Sequence, residues 1–180
     1  MKKSLLFLFL IGLAPMYLQA QNLTTDVEGT NISFKIKNLG FNVDGTFSDF
    51  AVKANFDENN LSDSYFKGTA QIQSIDTGIK ARDEHLQKAD YFHSEQYPVI
   101  KLTSRELKKV AEGKYEFIGD LSIKGKTQTV NFPIALEKSE NSLTVSGNFE
   151  INRLDFEVGE SSWVLKKKVK VAIVYQGNFQ

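Results

Sequence analysis

The sequence predicts an all-β protein: an antiparallel barrel of about eight strands, with one short helix inserted between strands. Three observations predict this fold class. Apolar and polar residues alternate with a period of two along almost the whole chain, which is the pattern of half-buried strands. The links between the alternating segments are short and rich in Gly, Asn and Asp, which favours antiparallel neighbours. One polar segment, residues 76–98, interrupts the alternation and predicts the helical insert.

The first 20 residues are typical of a secretory signal peptide. Lys2 and Lys3 precede an apolar run from Leu5 to Ala14, and the small residue Ala20 lies at the expected cleavage point. A membrane anchor is the alternative, but a spanning helix needs about 20 apolar residues. We therefore expect a periplasmic or secreted protein, not stably inserted in a membrane, with a single domain over residues 21–180.

The charge balance and the absence of cysteine exclude several classes of function. Cleavage after Ala20 removes two of the 22 basic residues and leaves 20 against 22 acidic ones. That balance does not favour nucleic-acid binding, which needs a basic patch, and we interpret the Lys166–Lys168 run as a solvated strand end. Because the chain has no cysteine, stability must come from an apolar core and not from disulfides. We expect no bound cofactor and no metal.

Eight segments carry the alternation in chain order. Their apolar positions run from Ile32 to Ile36, Val52 to Phe56, Phe66 to Ile72, Ile100 to Ser104, Tyr115 to Ile123, Val130 to Leu136, Leu143 to Ile151 and Val169 to Tyr175. Residues 79–89 carry a narrow apolar stripe and predict the helix, with Asp76 or Thr77 as its cap. Pro133 lies within a strand pattern, which indicates an edge-like position or a bulge.

Strands of this kind close in one of two ways. A two-sheet sandwich packs its apolar faces together, whereas a barrel turns them inward around a small-ligand cavity. Small residues on the apolar faces leave space that large side chains do not fill, and this favours a hollow barrel; they are Ala54, Gly68, Ala70, Ser104, Gly119 and Gly147. A tapered interior filled by alternating small and large side chains remains the alternative.

An ordered set of motifs runs along the chain. The motifs are VDGTFSDF at residues 43–50, IDTG at 75–78, RDEHL at 82–86, ADYF at 89–92, YPVI at 97–100, GDLSIKGKTQTV at 119–130 and FEINRLDF at 149–156. In this order they resemble the YceI-like family of periplasmic polyisoprenoid-binding proteins. The resemblance implies a lipocalin-like barrel that holds a long-chain isoprenoid, such as a prenyl quinone, or a similar amphiphilic lipid. It is also compatible with a homodimer.

The resemblance places the ligand inside the barrel, so apolar and aromatic residues are the candidates for contact with its tail. We expect the cavity lining to include Phe34, Phe47, Phe50, Val52, Phe66, Ile72, Leu86, Tyr91, Phe92, Ile100, Leu102, Phe117, Leu121, Phe149, Phe156 and Trp163. Arg82 and His85 are candidates for contact with the polar head, since Arg suits carboxylate or phosphate and His donates to a carbonyl. The alternative is that Arg82 and Asp83 pin the insert to the barrel, and that Arg153 and Asp155 form a structural pair.

The sequence offers little for catalysis. His85 and His93 lie eight residues apart, which is not the i, i+4 spacing of a metal pair on one helix face. No G-x-S-x-G elbow, cysteine nucleophile or phosphate loop is present. We therefore expect a binding protein and not an enzyme. Two alternatives remain: a lipid-modifying enzyme that uses Asp76, Asp83 and His85, and a solidly packed barrel that meets a protein partner near Pro133.

Overall fold

The structure, a computed structural model, describes residues 21–180, and the expected signal peptide at residues 1–20 lies outside the described residues. The described chain forms β1 (Gln21–Asn38), β2 (Phe41–Phe47), β3 (Phe50–Phe56), β4 (Tyr65–Gln71), β5 (Ile75–Asp76), β6 (Val99–Ala111), β7 (Lys114–Ile123), β8 (Lys126–Lys138), β9 (Ser142–Asn152) and β10 (Leu165–Phe179). One α-helix, α1 (Lys80–Leu86), and two 3₁₀ helices, Ile72–Ser74 and Arg153–Phe156, complete the elements.

Eight of the strands close into an antiparallel barrel. Their order round the barrel is β1, β10, β9, β8, β7, β6, β4 and β3, and β3 pairs again with the beginning of β1. Closure depends on the pairing of the first and last strands, which follows their length from Leu23–Phe179 to Asn38–Leu165. The predicted all-β barrel with one short α-helix is therefore confirmed.

The sequence pattern did not predict β2 and β5. These two strands extend the barrel wall beside β3 and β4 and are not counted among its eight strands. β2 pairs with residues 32–38 of β1, and β3 pairs with residues 21–23 of the same strand. Both run antiparallel to β1 and are joined directly at residues 48–49, so together they form one kinked wall. β5 continues β4 in the same way and pairs with the end of β2.

The connections divide the barrel into two ends. The closed end carries the links 57–64, 112–113 and 139–141, whereas the mouth carries the turn 39–40, the insert 72–98, the turn 124–125 and the loop 153–164. Near the closed end the interior is filled by a contiguous apolar cluster: Leu23, Ala54, Phe56, Phe66, Leu107, Tyr115, Phe117, Phe132, Ile134, Leu136, Leu143, Val145 and Tyr175. Packing is less complete toward the mouth, where smaller clusters lie against opposite walls.

Pro133 marks the point at which β8 separates from β9. β8 pairs with β9 only from Ile134 onward, while its pairing with β7 continues on the other side. Because proline has no N–H to donate, it fits the residue at which the ladder to β9 ends. The 3₁₀ helix Arg153–Phe156 lies beside the resulting gap, and Gln128 donates from Nε2 to the Asp155 carbonyl oxygen at 3.2 Å.

The helix is shorter than the sequence predicts and begins differently. α1 spans Lys80–Leu86, and its N-cap is Ile79, which makes no side-chain cap hydrogen bond. Asp76 instead accepts from the Gly78 N–H at 2.7 Å, in a turn that ends before the helix. The predicted cap by Asp76 or Thr77 is therefore wrong. Within residues 21–180, no helix has the length and apolar character to cross a membrane.

Two inward-facing glycines provide a test of how the interior is packed. A Cβ at Gly119 would overlap the Thr103 carbonyl oxygen and the Phe117 ring, whereas nothing lies within 4 Å of a Cβ at Gly68. We expect Gly119→Ala to lower the free energy of unfolding by about 1–3 kcal/mol through overpacking. Gly68→Ala is expected to leave stability unchanged or to raise it slightly, because alanine restricts the unfolded chain more than glycine. Urea titration of both variants measures this; equal losses would contradict an open interior at Gly68.

Candidate functional site: the barrel cavity

A cavity of about 600 Å³ runs from the mouth into the barrel, as far as side chains of the closed-end cluster such as Ile134, Val145 and Tyr175. Of the residues expected in the lining, those that line it are Phe34, Phe47, Val52, Phe66, Leu86, Tyr91, Phe92, Ile100, Leu102, Phe117, Leu121, Phe149 and Phe156. They come from strands on opposite sides of the barrel and from the insert. Alternation turns one face of each strand inward, and this brings residues far apart in sequence round one apolar space.

Three residues expected in the lining lie elsewhere. Phe50 follows the kink between β2 and β3 and packs against the cluster of Phe47, Ala70 and Ile75. Ile72 begins a 3₁₀ helix, which turns its side chain into the protein, where it is fully buried. Trp163 lies in the loop before β10 and is 89% exposed. Ile72 and Trp163 lie outside the strands, so an expectation based on alternation does not apply to them, whereas Phe50 is the first residue of β3 and lies at the end of its inward face.

Part of the lining was not expected from the sequence. The wall formed by β1, β2 and β10 contributes aliphatic side chains, namely Ile32, Ile36, Val43, Val169, Val171 and Ile173. The signal was present, because β1 and β10 show the same alternation as the other strands.

The inward-facing glycines differ in whether a neighbouring side chain fills the space beside them, and the cavity remains where that space is empty. Gly68 pairs with Val52 on one side and Leu102 on the other, and a Cβ there would enter open space. At Gly119 and Gly147 the corresponding space is already occupied by the rings of Phe117 and Phe132. The tapered packing and the hollow interior are therefore both present, the first at Gly119 and Gly147 and the second at Gly68.

Arg82 and His85 lie on α1 at the edge of the cavity. Arg82 donates from Nε to Thr77 Oγ1 at 2.7 Å and from Nη2 to the Thr77 carbonyl oxygen at 2.6 Å. Asp83 accepts from the Thr77 N–H at 3.0 Å. These bonds tie Thr77 to α1 and so hold the insert together; because Thr77 itself belongs to the insert, they do not pin the insert to a barrel strand, which is what the structural alternative expected. They leave the other guanidinium N–H groups of Arg82 available.

His85 has polar and aromatic neighbours from the same insert. Its Nε2 lies 3.3 Å from Asp90 Oδ2, and its ring meets the Tyr91 ring edge-on with centroids 5.1 Å apart. About half of the imidazole is exposed. The side chain therefore lies at the boundary between the apolar cavity and solvent, where it can donate or accept one hydrogen bond to a polar group.

Arg153 is a buried cation whose hydrogen-bond acceptors are all backbone carbonyls. It is only 4% exposed, and it donates to the carbonyl oxygens of Val158 at 2.7 Å, Glu160 at 2.8 Å, Lys166 at 3.1 Å and Leu165 at 3.3 Å. Burial lowers the pKa of the guanidinium. Sequence reasoning expected a pair with Asp155, but Asp155 Oδ1 accepts from Asn152 Nδ2 at 2.8 Å instead.

The two sides of the mouth are built differently. On one side the insert, the turn 124–125 and the loop 153–164 are joined: Lys124 donates from Nζ to the carbonyl oxygens of Ala89 and Glu157 at 2.9 and 2.8 Å. The Gly159 N–H also donates to the Asp90 carbonyl oxygen at 2.9 Å. A hydrogen bond from Lys126 lowers the pKa of Glu157 on this side. This edge, the sealed side, is fixed by polar contacts.

Among residues 21–180, no three His, Cys, Asp or Glu side chains are grouped in a way that holds a metal ion. Asp83 and Asp90 are engaged by Thr77 and His85 respectively. The described site thus offers an apolar volume with a few polar groups at its edge, an arrangement suited to holding an apolar chain and orienting its head.

Arg153 provides a stability test of the loop that bounds the mouth. Lysine has fewer and differently placed donors than the guanidinium fork, so Arg153→Lys leaves buried carbonyl groups unsatisfied. We expect it to lower the free energy of unfolding by about 2 kcal/mol or more and to expose residues 157–164 to protease. The control is Arg105→Lys, at an exposed pair with Asp120, where we expect a loss below about 1 kcal/mol. Equal losses would contradict the structural role of Arg153.

Sequence relatives of the chain fall into one family. The model of the YceI-like domain matches residues 23–176. A UPF0312 protein of Photorhabdus laumondii is 42% identical over 114 residues, which cover 62% of this chain and 59% of that protein, less than two thirds of its length. The YceI protein of Escherichia coli O157:H7 is 34% identical over 142 residues, which cover 76% of this chain and 72% of that protein.

Solved structures share the fold. BcnA of Burkholderia cenocepacia superposes with a TM-score of 0.80 at 24% identity, over 85% of this chain and 99% of that one. A polyisoprenoid binding domain from Saccharophagus degradans superposes with a TM-score of 0.70 at 15% identity, over 89% of this chain and 99% of that one. Since the family's model covers most of the chain and the fold agrees, the chain belongs to the YceI-like family.

Proposed function

We propose that this protein is an exported binding protein or carrier that holds a long-chain isoprenoid, such as a prenyl quinone, or a similar amphiphilic lipid inside the barrel. The observation that carries the proposal is the largely apolar cavity inside the barrel, with Gly68 facing open space. Membership of the YceI-like family and the shared fold of a polyisoprenoid binding domain support the ligand class. The role is binding, and no step of catalysis is proposed.

Water is a poor occupant of such a cavity. A cavity of this size has room for many water molecules, and each would need two to four polar partners. The wall offers few, because the strands supply mainly Phe, Ile, Val and Leu; away from the mouth, the polar groups include the Thr30 side chain and the buried Tyr175 hydroxyl. An apolar chain loses nothing by entering, since its methylene groups need no hydrogen bonds.

The energetic balance favours a long tail. Each buried methylene is worth about 0.8 kcal/mol, whereas association costs about 4–15 kcal/mol in lost motion. A tail of several prenyl units therefore exceeds that cost without any polar contact. Few polar groups are needed for affinity, and those present are free to set the orientation and the preference for a head group.

The placement of polar groups predicts how the ligand is oriented. The closed end is packed with apolar side chains, so the end of the tail lies toward it and the head lies at the mouth. Arg82 retains N–H groups that are not used by Thr77, and the half-exposed His85 lies on the same helix. We propose these two side chains as the contacts for an oxygen-rich head group.

The proposed setting is the periplasm or the extracellular space, after cleavage near Ala20. It rests on the composition of residues 1–20, a charged start followed by an apolar run. A soluble carrier is useful there, since a prenyl lipid does not cross an aqueous compartment alone. A homodimer is compatible with this role, and the described contacts do not require one.

The ligand itself is the first test. Protein purified from its native host is extracted with organic solvent, and the extract is analysed by mass spectrometry. We expect a long-chain isoprenoid or a similar lipid in the extract from folded protein. Folded protein that releases no lipid and binds no added prenyl quinone would falsify the proposal.

A cavity-filling variant tests where the ligand lies. Gly68→Leu places a side chain in open space between Val52 and Leu102, so we expect the fold to persist and the affinity for a fluorescent prenyl lipid to fall at least tenfold. The loss follows because about three methylene contacts are replaced by protein atoms. Lys67→Leu, at the exposed neighbour on the same strand, is the matched control and should bind normally. Undiminished binding by Gly68→Leu would place the ligand outside this cavity.

A further inference from the structure

Three exposed apolar side chains lie together at the mouth, where the β1–β2 turn meets the last residues of the loop 153–164. Leu39 is 65% exposed, Phe41 78% and Trp163 89%. The three belong together: Leu39 and Phe41 flank the β1–β2 turn, and the Leu39 N–H donates to the carbonyl oxygen of Val164, beside Trp163, at 2.9 Å. We call these three residues the apolar tip. The neighbouring Asn38 and Leu165 line the cavity, so the tip continues directly into the ligand site.

The turn that carries the tip uses an unfavourable residue. Leu39 and Gly40 both have positive φ, at 53° and 84°, which is the geometry of a two-residue hairpin turn that favours Asn-Gly. Leucine is disfavoured at this φ, and here it also exposes its side chain to water. Leu39 therefore does not stabilise the turn, and an asparagine at this position would fit the turn better.

Four lysines lie at one level directly below the tip. Ile36 pairs with Val169 and Asn38 with Leu165, so the single residue Lys37 faces the three residues Lys166–Lys168 across a bulge. Like charges opposite one another in a sheet are destabilising. Lys168 pairs with Glu150 at 2.6 Å; within the described chain, no carboxylate lies in ion-pair distance of the other three.

The clustering of Lys37 with Lys166–Lys168 indicates a role for this run beyond that of a solvated strand end. The segments 36–42 and 159–168 contain four lysines and one acidic residue, Glu160, in a chain whose residues 21–180 carry more acid than base. An apolar, aromatic tip above a row of lysines matches the layers of a membrane surface. Apolar side chains enter the acyl boundary, tryptophan favours the interface, and lysines meet anionic head groups.

We propose that the apolar tip and the row of Lys37 and Lys166–Lys168 dock the mouth onto an anionic lipid surface. Docking relieves the repulsion among the lysines and removes the tip from water, and it places the open edge of the cavity against the lipid that the protein takes up or releases. The inference rests on the proposed carrier function for its purpose, but the docking step is measured separately from lipid binding.

Trp163 is the only tryptophan in the sequence, so its fluorescence reports on the tip alone. The full chain, as purified from cells, is mixed with vesicles of phosphatidylcholine or with vesicles of equal parts phosphatidylglycerol and phosphatidylcholine. With the anionic vesicles we expect a blue shift of Trp163 emission, quenching by brominated lipid and co-flotation of the protein. Added salt should weaken binding, because it screens the lysines.

Variants distinguish the contributions of the apolar tip and of the lysines to vesicle binding from any effect on the fold. Phe41→Ser should reduce vesicle binding about tenfold, because a large apolar side chain no longer enters the lipid. The double variant K166Q/K167Q should reduce it about fivefold for each lysine removed. L39N should weaken binding while the turn is kept or stabilised. The matched control is Val110→Ser at the closed end, where Val110 is 71% exposed and binding should not change.

Vesicle flotation and light scattering together distinguish lipid docking from self-association of the protein. No flotation with anionic vesicles, or equal binding to neutral and anionic vesicles, overturns the proposal. A concentration-dependent blue shift without vesicles, accompanied by dimers in light scattering, assigns the tip to a second copy of the chain and also overturns it. L39N should still take up a short, water-soluble prenyl quinone; failure of uptake in the unaltered protein contradicts the carrier function and leaves the docking result to stand by itself.

Discussion

Pairing of the first strand with the last is the constraint on which the rest of the structure depends. β1 and β10 are among the longest strands, and their ladder, which runs from Leu23–Phe179 to Asn38–Leu165, closes the sheet into a barrel. Once closed, every strand has one inward and one outward face, and the alternation in the sequence puts the apolar side chains inside. Eight strands enclose a space that side chains either fill or leave as a small cavity, and the distribution of glycine decides between these outcomes at each level.

Much of this follows from sequence because alternation is a local property. The eight segments that alternate are the eight barrel strands, and they were identifiable without knowing their partners. β2 and β5 were missed because they are short extensions set off from β3 and β4 by a kink and a 3₁₀ turn; β5 has only two residues, and the alternation of Val43, Gly45 and Phe47 in β2 is brief. The site was less predictable for a related reason. Ile72 and Trp163 lie outside the strands, so their side chains do not follow the period of two, and Phe50 lies at the very start of β3, beside the kink.

Arg153 shows a second limit of sequence reasoning. Its acceptors are carbonyl oxygens of residues 158–166, which every residue type possesses, so no pattern of side chains points to them. A charged residue near an aspartate suggests an ion pair, and the fold instead uses the cation to organise backbone. The consequence is that carbonyl groups of the loop before β10 hold it to Arg153, while several of its side chains face solvent. Trp163 is one of them.

Residues with unfavourable backbone geometry occur on both sides of the mouth, but the contacts of their side chains differ between the two sides. Four non-glycine residues of the described chain have positive φ: Leu39, His93, Lys124 and Glu157. On the sealed side, the strain is matched by contacts: Lys124 binds two carbonyl oxygens, Glu157 pairs with Lys126 at 2.8 Å, and the His93 ring packs edge-on against Tyr97. Leu39 differs, because its side chain projects into solvent.

Strain of this kind persists where something else offsets it. For three of these residues the compensation lies within the protein, on the edge that holds the insert in place. For Leu39 the fold supplies only one backbone hydrogen bond, to Val164, and the lysines below it add repulsion. We therefore expect a partner outside the molecule to offset the strain at Leu39 and the repulsion among the lysines. An anionic lipid surface does both, because it offers an apolar medium to the tip and negative charge to the lysines. The sealed edge then keeps the cavity's shape while the edge that carries the tip faces the lipid.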